Sequence, residues 1–296
     1  MTTLTAYYDL AIGPVSFDFV VFAVKAEMVR RRVGAGRLHI VIVPDSNGPG
    51  GFRDKSKFYD QHEASWRLWN ICIPACRLIG ATVTIATDWQ QAERLAGDAC
   101  WPDDWRHQTL ANRHHLVGHI IAWHKAGAEV PKLSASRHAL RKVAEHFAGR
   151  EVVTLTKRNT YMPERNSRAD AWQAAREHIE ARGFTVRVIE DTGAALATGI
   201  GQAGVNLDVR MAMYQLAAFN LQANNGAASL CWFSTAPYAM LDAGLPAQDW
   251  TGLFVKQGLP IGADWPWATK SQRLVYQDAT AENIIGAFEA WASATK

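Results

Sequence analysis

The stretch Val152–Ile189, VVTLTKRNTYMPERNSRADAWQAAREHIEARGFTVRVI, carries the pattern of a strand, a helix and a second strand. Val152–Thr156 and Phe184–Ile189 are short β-branched runs typical of buried strands. Between them, apolar residues recur every three or four positions, which predicts a helix over Ser167–Ala181, ended by Arg182-Gly183. Because a helical crossover joins strands that run the same way, this stretch predicts a parallel sheet.

The same alternation continues on both sides of this stretch. In the first half, Tyr8–Ile12 and Leu38–Val43 are predicted strands, and Ser16 is a candidate cap for the helix between them. A helix is predicted over His62–Leu78, before a strand at Thr82–Ala86. We therefore predict an α/β protein with two Rossmann-like domains whose parallel sheets face a central cleft. A single sheet of nine or more strands is the alternative.

The boundary between the two halves is predicted near residue 149. A helical stretch, Ser136–Phe147, precedes Val152 and would join the halves. This gives domains of residues 1–149 and 150–296, both of ordinary domain size. In the second domain, Arg210–Leu221 is a further predicted helix, and a C-terminal helix is predicted to start near Asp278.

Composition excludes several classes of protein. Hydrophobic residues make up 48% and charged residues 20% of the 296 residues, as in ordinary globular proteins. A net charge of +3 is too small for a nucleic-acid binder. The four cysteines lack zinc-site spacing and are expected to be free thiols. With no signal-like N-terminus and no apolar run of about 18 residues, we expect a cytoplasmic protein that at most touches the inner membrane peripherally.

Two loops that follow predicted strands are candidate anion sites. The first runs from Lys157 to Ser167, and in it Arg158 and Arg165 supply guanidinium groups that can grip phosphate oxygens. Asn166 or Ser167 is a candidate cap for the helix that follows. Because ligands of parallel sheets bind beyond the carboxyl ends of strands, a phosphate site is favoured over a plain basic loop.

The second loop contains Asn224, Asn225, Gly226 and Ala227. Its small residues would let a backbone approach a ligand closely and present N–H groups to an anion. Asn-Gly is equally typical of a β-hairpin turn, so both interpretations stay open. A third glycine-rich loop, Pro44–Arg53, does not match the phosphate-binding G-x-x-x-x-G-K-[ST] pattern.

A metal site is not expected from the sequence. Four histidines, His114, His115, His119 and His124, lie close together, and the middle two have helical i,i+4 spacing. There is no HExxH, and no carboxylate or cysteine nearby completes a zinc set. The chain also lacks an Asp-x-Asp element, so any diphosphate is expected to be bound without metal, through arginine and backbone donors.

The second half resembles GT-B-type bacterial glycosyltransferases of surface-polysaccharide biosynthesis, both heptosyltransferase-like and fucosyltransferase-like. The similarity covers residues 150–290 and lies in the strand and basic loop around Arg158 and in Asn225-Gly226. It implies a C-terminal domain that binds the nucleotide-sugar donor, with phosphate contacts from Arg158, Arg165 and the Asn224–Ala227 turn. The heptosyltransferase turn Asp-Ser-Gly-x-x-His is absent, because Asn225-Gly226 is followed by Ala-Ala-Ser.

The resemblance further implies an inverting, metal-independent glycosyltransferase that needs no cofactor. The N-terminal domain would receive a glycan or lipid-linked acceptor. Its general base is expected to be Asp18, with Asp54 second, although Asp18 would also suit the first turn of a helix. Two alternatives remain: a nucleotide-sugar epimerase on the same scaffold, and a sugar-nucleotide or glycan-binding protein without turnover.

Overall fold

A computed structural model describes residues 2–43, 61–107, 116–159, 166–190, 204, 206–243 and 254–295. The chain divides into two compact units, Met1–Leu133 and Ser134–Lys296. Among the described residues, none of the helices combines the length and the apolar character needed to cross a bilayer.

The first unit alternates strands and helices. Its strands are β1 (Thr3–Asp9), β2 (Arg37–Val43), β3 (Thr82–Ile85) and β4 (Ala99–Trp101). Its helices are α1 (Asp18–Arg32), α2 (Gln61–Arg67), α3 (Ile73–Leu78), α4 (Trp89–Arg94) and α5 (Gly118–Lys125). A π-helical turn at Leu68–Cys72 joins α2 to α3, and a 3-10 turn occupies Trp105–His107.

The first sheet is parallel throughout, in the order β3-β2-β1-β4. Every residue of α1 from Phe19 to Val29 is buried, so this helix is a central element of the core. Tyr7 of β1 stacks on Trp105 with ring centroids 3.7 Å apart, and both rings belong to a core cluster that includes Val41 and Val43 of β2.

The second unit contains five strands: β5 (Val152–Thr156), β6 (Thr185–Ile189), β7 (Phe219–Gln222), β8 (Tyr238–Met240) and β9 (Gln272–Leu274). Its helices are α6 (Arg137–Phe147), α7 (Ala169–Ala181), α8 (Leu207–Leu216), α9 (Ser229–Trp232) and α10 (Ala281–Ala294). A 3-10 turn, Gly226–Ala228, immediately precedes α9.

The second sheet is also parallel, in the order β6-β5-β7-β8-β9. Its core joins strands β5 and β7 to α7 and α10 through residues such as Leu155, Trp172, Leu221 and Phe288. Counted from its own first strand, the order is 2-1-3-4-5, one of the two common doubly wound arrangements.

The predicted α/β class with two parallel, Rossmann-like units is confirmed. Val152–Thr156 is a strand with the predicted bounds. The strand predicted at Tyr8–Ile12 is wrong, because β1 ends at Asp9 and a turn follows. The helix predicted over Arg210–Leu221 ends at Leu216, because the chain turns there and enters the central strand β7. A short buried strand and a buried helix end share the same apolar pattern, which explains the error.

Helix α6 belongs to the second unit. Ser136 caps it by accepting a hydrogen bond from the backbone N–H of Ala139 at 3.1 Å. The Ser136 hydroxyl donates to a carboxylate oxygen of Asp208 on α8 at 2.6 Å. The boundary predicted near residue 149 lies after α6 and assigns this helix to the first half, whereas the contacts of the structure assign it to the second unit.

Candidate functional site

The order of the second sheet creates a switch point between β5 and β7. In doubly wound sheets, neighbouring strands whose connections leave in opposite directions open a crevice beyond their carboxyl ends, where ligands bind. Lys157–Asn159 follow β5 and Ala223–Asn225 follow β7. The two candidate anion loops of the sequence therefore begin at this crevice.

Arg158 connects the two loops. Its Nη1 donates to the backbone carbonyl of Asn224 at 2.5 Å. The loop after β5 is closed by a reciprocal pair of bonds, in which the Arg158 N–H donates to Ser167 Oγ at 2.8 Å and the Ser167 N–H donates to the Arg158 carbonyl at 2.9 Å. The structure thus places Arg158, Asn224 and Ser167 together at the edge of the sheet.

The predicted cap of helix α7 is wrong. The N-cap is Arg168, which makes no capping hydrogen bond with its side chain. Ser167 Oγ is instead used to hold Arg158, and Asn166 Nδ2 lies 3.5 Å from Asn159 Oδ1. Arg165 lies outside the described residues.

Asn225 lies at the same edge of the sheet, one residue after Asn224. Its Oδ1 accepts the N–H of Ala228 at 3.1 Å and so caps the 3-10 turn that contains Gly226 and Ala227. The residue is 6% exposed, and its buried Nδ2 has no hydrogen-bond partner among the described residues. An amide donor buried without an acceptor is costly, so this N–H group is available to bind an acceptor oxygen. The hairpin alternative is excluded, because β7 and β8 are parallel.

Asn224 extends the site to the end of β8. Its Nδ2 donates to the backbone carbonyl of Asp242 at 3.1 Å. The pKa of the Asp242 carboxyl is raised above its ordinary value, mainly by burial and also by the negative charge of Asp278. The Ala279 N–H and the charge of Arg158 act in the opposite direction and lower it. Sequence reasoning missed Asp242, because β8 has only three residues and shows no strand pattern.

Buried polar contacts support the two central strands beneath the site. Thr154 of β5 donates from Oγ1 to Asn220 Oδ1 at 2.6 Å, and the hydroxyls of Thr156 and Tyr214 lie 2.9 Å apart. Asn220 Nδ2 donates to the carbonyl of Pro237 at 2.8 Å. Each of these polar groups has a partner in the interior, so together they fix the register of β5, β7 and the loop before β8.

Arg210 is a second arginine in this region that sequence reasoning did not single out. It lies on α8, is 1% exposed and donates from Nη2 to the carbonyl of Glu190 at the end of β6. Leu207 and the five residues from Arg210 to Tyr214 are all buried, so α8 has no clear exposed face and its pattern does not single out Arg210.

In the first unit, Asp18 is the first residue of α1. Its Oδ2 accepts the hydroxyl of Ser16 at 2.9 Å, and its N–H donates to Ser16 Oγ at 3.2 Å. A second carboxylate, Asp9, ends β1 with 8% exposure, and its Oδ1 accepts the N–H of Ala11 at 2.8 Å. Asp9 was not predicted, because the strand was placed later in the sequence. Asp54 and the Pro44–Arg53 loop lie outside the described residues.

The described histidines make ordinary polar contacts. His119 Nδ1 lies 3.1 Å from Lys25 Nζ, and His124 Nδ1 lies 3.1 Å from the carbonyl of Ala128. His114 and His115 lie outside the described residues. Within the described ranges, no group of three or more His, Cys, Asp or Glu side chains is arranged to hold a metal ion.

The chain is similar to known proteins in its fold, but its sequence matches no known family model and no curated protein. Among solved structures, the glycosyl transferase family 9 protein of Veillonella parvula superimposes with a TM-score of 0.53 at 10% identity, over 99% of this chain and 98% of that chain.

Two glycosyltransferases of E. coli are also similar. TibC, an iron-containing dodecameric glycosyltransferase, has a TM-score of 0.48 at 12% identity, over 100% of this chain and 77% of that one. The ADP-heptose LPS heptosyltransferase II has a TM-score of 0.47 at 11% identity, over 100% and 99% of the two chains. The match in Veillonella parvula shows that this chain has the two-unit α/β fold of a family 9 glycosyl transferase, as the sequence resemblance implied.

Proposed function

We propose that the chain is a glycosyltransferase that binds the diphosphate of a nucleotide-sugar donor at the switch point of its second sheet. The observation that carries the proposal is the buried amide of Asn225, which has no acceptor among the described residues. It lies one peptide unit from the carbonyl that holds the Arg158 guanidinium. A phosphate oxygen would satisfy the amide and complement the arginine charge at the same time.

This arrangement suits transfer of a sugar with loss of a nucleoside diphosphate. Negative charge grows on the leaving phosphate as the glycosidic bond breaks, and a guanidinium held in place beforehand stabilises that charge. Arg158 is held by Asn224, and its backbone is held by Ser167. Arg165, Asn166, Gly226 and Ala227 complete the proposed phosphate site. Arginine and amide donors would then bind the donor without metal or cofactor.

The first unit would bind the glycan or lipid-linked acceptor. Inversion in a single displacement requires a base that removes the proton of the attacking hydroxyl. We propose Asp18 for this role, with Asp54 as the second candidate. Asp18 follows β1 at the carboxyl edge of the first sheet, where ligands of parallel sheets bind. A lipid-linked acceptor would bring the protein to the cytoplasmic face of the inner membrane.

A thermal-shift panel of UDP-, GDP-, ADP- and CMP-sugars tests the proposal. A bound donor stabilises the folded state by mass action, about 2.7 kcal/mol at a hundred times its Kd. We expect one nucleotide class to raise the Tm in a concentration-dependent way. Release of the nucleoside diphosphate from that donor, in the presence of glycan acceptors, then reports turnover.

The outcomes separate the alternatives. A change in the sugar of the intact donor would indicate the epimerase, and binding without any turnover would indicate a non-catalytic binding protein. If no sugar nucleotide raises the Tm of the folded protein, the proposal is wrong.

A further inference from the structure

Asp242 stands at the same edge of the sheet as the proposed phosphate site. It follows β8, the strand next to β7, and its backbone carbonyl accepts the side-chain amide of Asn224. The Asn224 carbonyl in turn accepts Arg158. One chain of hydrogen bonds therefore joins the guanidinium after β5 to the carboxylate-bearing residue after β8.

The backbone of Asp242 is held in an uncommon conformation. Its φ is +58°, in the left-handed region, and it shares a positive φ with only one other described non-glycine residue, Ala148. Its N–H donates to the carbonyl of Gln277 at 3.0 Å. Aspartate tolerates this region better than most side chains, and the N–H of Ala279 holds its carboxylate in place.

The two oxygens of the Asp242 carboxylate differ in their contacts with the described residues. Oδ1 accepts the N–H of Ala279 at 2.7 Å. Within the described part of the chain, no hydrogen bond is made by Oδ2. The residue is half-buried, so Oδ2 can accept a hydrogen bond from a ligand.

The charges of the edge divide it into two zones. Phosphate groups are attracted to the positive charge of Arg158. They are repelled by the Asp242 carboxylate when it is ionised, because two negative charges repel each other at close range. Hydroxyl groups have the opposite preference, because a carboxylate accepts O–H donors strongly. A ligand with a diphosphate at Arg158 would therefore place a polyhydroxylated ring at Asp242.

We propose that Asp242 is a specificity-determining residue that accepts hydrogen bonds from sugar hydroxyls attached to the diphosphate. The inference rests on the proposed function. The hydroxyls belong either to the ribose of the nucleotide or to the transferred sugar, and the chemistry of recognition is the same for both. Asn224 and Ala279 position the carboxylate, and Arg158 fixes the diphosphate beside it.

Calorimetry on the full chain tests this assignment with three kinds of probe. They are inorganic pyrophosphate, the nucleoside diphosphates UDP, GDP and ADP, and the sugar nucleotides UDP-glucose, GDP-mannose and ADP-glucose. In Asp242→Asn the amide oxygen can still accept the Ala279 N–H, while the negative charge is lost. Asp242→Gly removes the side chain and suits the left-handed backbone, so it guards against misfolding.

Both variants should bind pyrophosphate as tightly as wild type or more tightly, and should bind the preferred sugar nucleotide at least about tenfold more weakly. Loss confined to the sugar nucleotide assigns the contact to the transferred sugar. Equal loss for the free diphosphate assigns it to the ribose. Asp278→Asn, which removes a neighbouring charge, should leave both affinities within about twofold.

Three results would overturn the assignment: unchanged affinity of both variants for the sugar nucleotide, an equal loss for pyrophosphate and nucleotide, or wild-type protein that binds pyrophosphate but no nucleotide probe. Wild-type protein that binds none of the probes overturns the proposed function and this assignment together.

Discussion

Lys25 lies on the buried helix α1 and has no exposed surface, although it carries an ionisable amine. Its Nζ makes polar contacts with His119 Nδ1 at 3.1 Å and with the Leu116 carbonyl at 3.4 Å. Neither carries a negative charge that would compensate an ammonium ion. Burial accordingly lowers the pKa of Lys25 from 10.5 to about 7, and burial together with the Lys25 charge lowers the pKa of His119.

Lys25→Met should stabilise the protein at neutral and acidic pH. Between pH 7 and 10.5 the unfolded chain holds the lysine proton and the folded chain does not, so wild-type stability increases with pH over this window. Below pH 7 the lysine is protonated in both the folded and the unfolded chain, so the folded state carries the full free-energy cost of burying the ammonium ion. The full shift corresponds to about 5 kcal/mol, and relaxation around the site should reduce the gain to about 2–3 kcal/mol.

Urea unfolding at a series of pH values from 6 to about 10.5 measures this effect. The gain should be largest at the acidic end and should fade as the pH approaches 10.5. Lys270→Met, at an exposed lysine, is the matched control and should change little. A Lys25→Met variant that is less stable than wild type at pH 6 would contradict the account.

The residues of the proposed site and the buried Lys25 differ in how far the sequence reveals their positions. The position of Arg158 and Asn225 at one sheet edge could be predicted, because each follows a strand and the parallel-sheet rule brings such residues together. Asp242 and Lys25 could not. The strand before Asp242 is only three residues long, and a lysine between Val24 and Ala26 shows no sign of burial on all sides of its helix.

At the scale of elements, α6 packs on α8 within the second unit. Ala139, Val143 and Phe147 are its buried residues, and Ser136 ties its N-terminus to Asp208 through two hydrogen bonds of 2.6 and 2.7 Å. The sequence predicted this helix correctly as an amphipathic stretch. Its assignment to one half depends on long-range contacts with α8, which periodicity within the helix does not reveal.

A fragment of residues 134–296 should fold cooperatively, because it contains a complete sheet and its own core. A fragment of residues 150–296 lacks α6 and should be less stable by at least about 3 kcal/mol, since three buried apolar side chains are lost. Urea unfolding followed by circular dichroism compares the two. Equal stability of both fragments would place the boundary after α6, as the sequence predicted.

At the scale of the whole molecule, two units with parallel sheets follow one another in the chain. The alternation of strands and helices was sufficient to predict this architecture, because parallel sheets impose it. The donor sugar and the acceptor could not be predicted. They depend on a few side chains at loop ends, whose contacts are set by the fold and not by local pattern.

The central claim is that Arg158 and Asn225 form a phosphate site, and the affinity of the full chain for inorganic pyrophosphate tests it most directly. By calorimetry, we predict that wild-type protein binds pyrophosphate and that Arg158→Ala and Asn225→Ala each weaken binding at least about tenfold, or about 1.4 kcal/mol. Arg168→Ala, at an exposed arginine nearby, should bind like wild type. Wild-type protein that does not bind pyrophosphate, or Arg158 and Asn225 variants that bind it as tightly as wild type, would contradict the account.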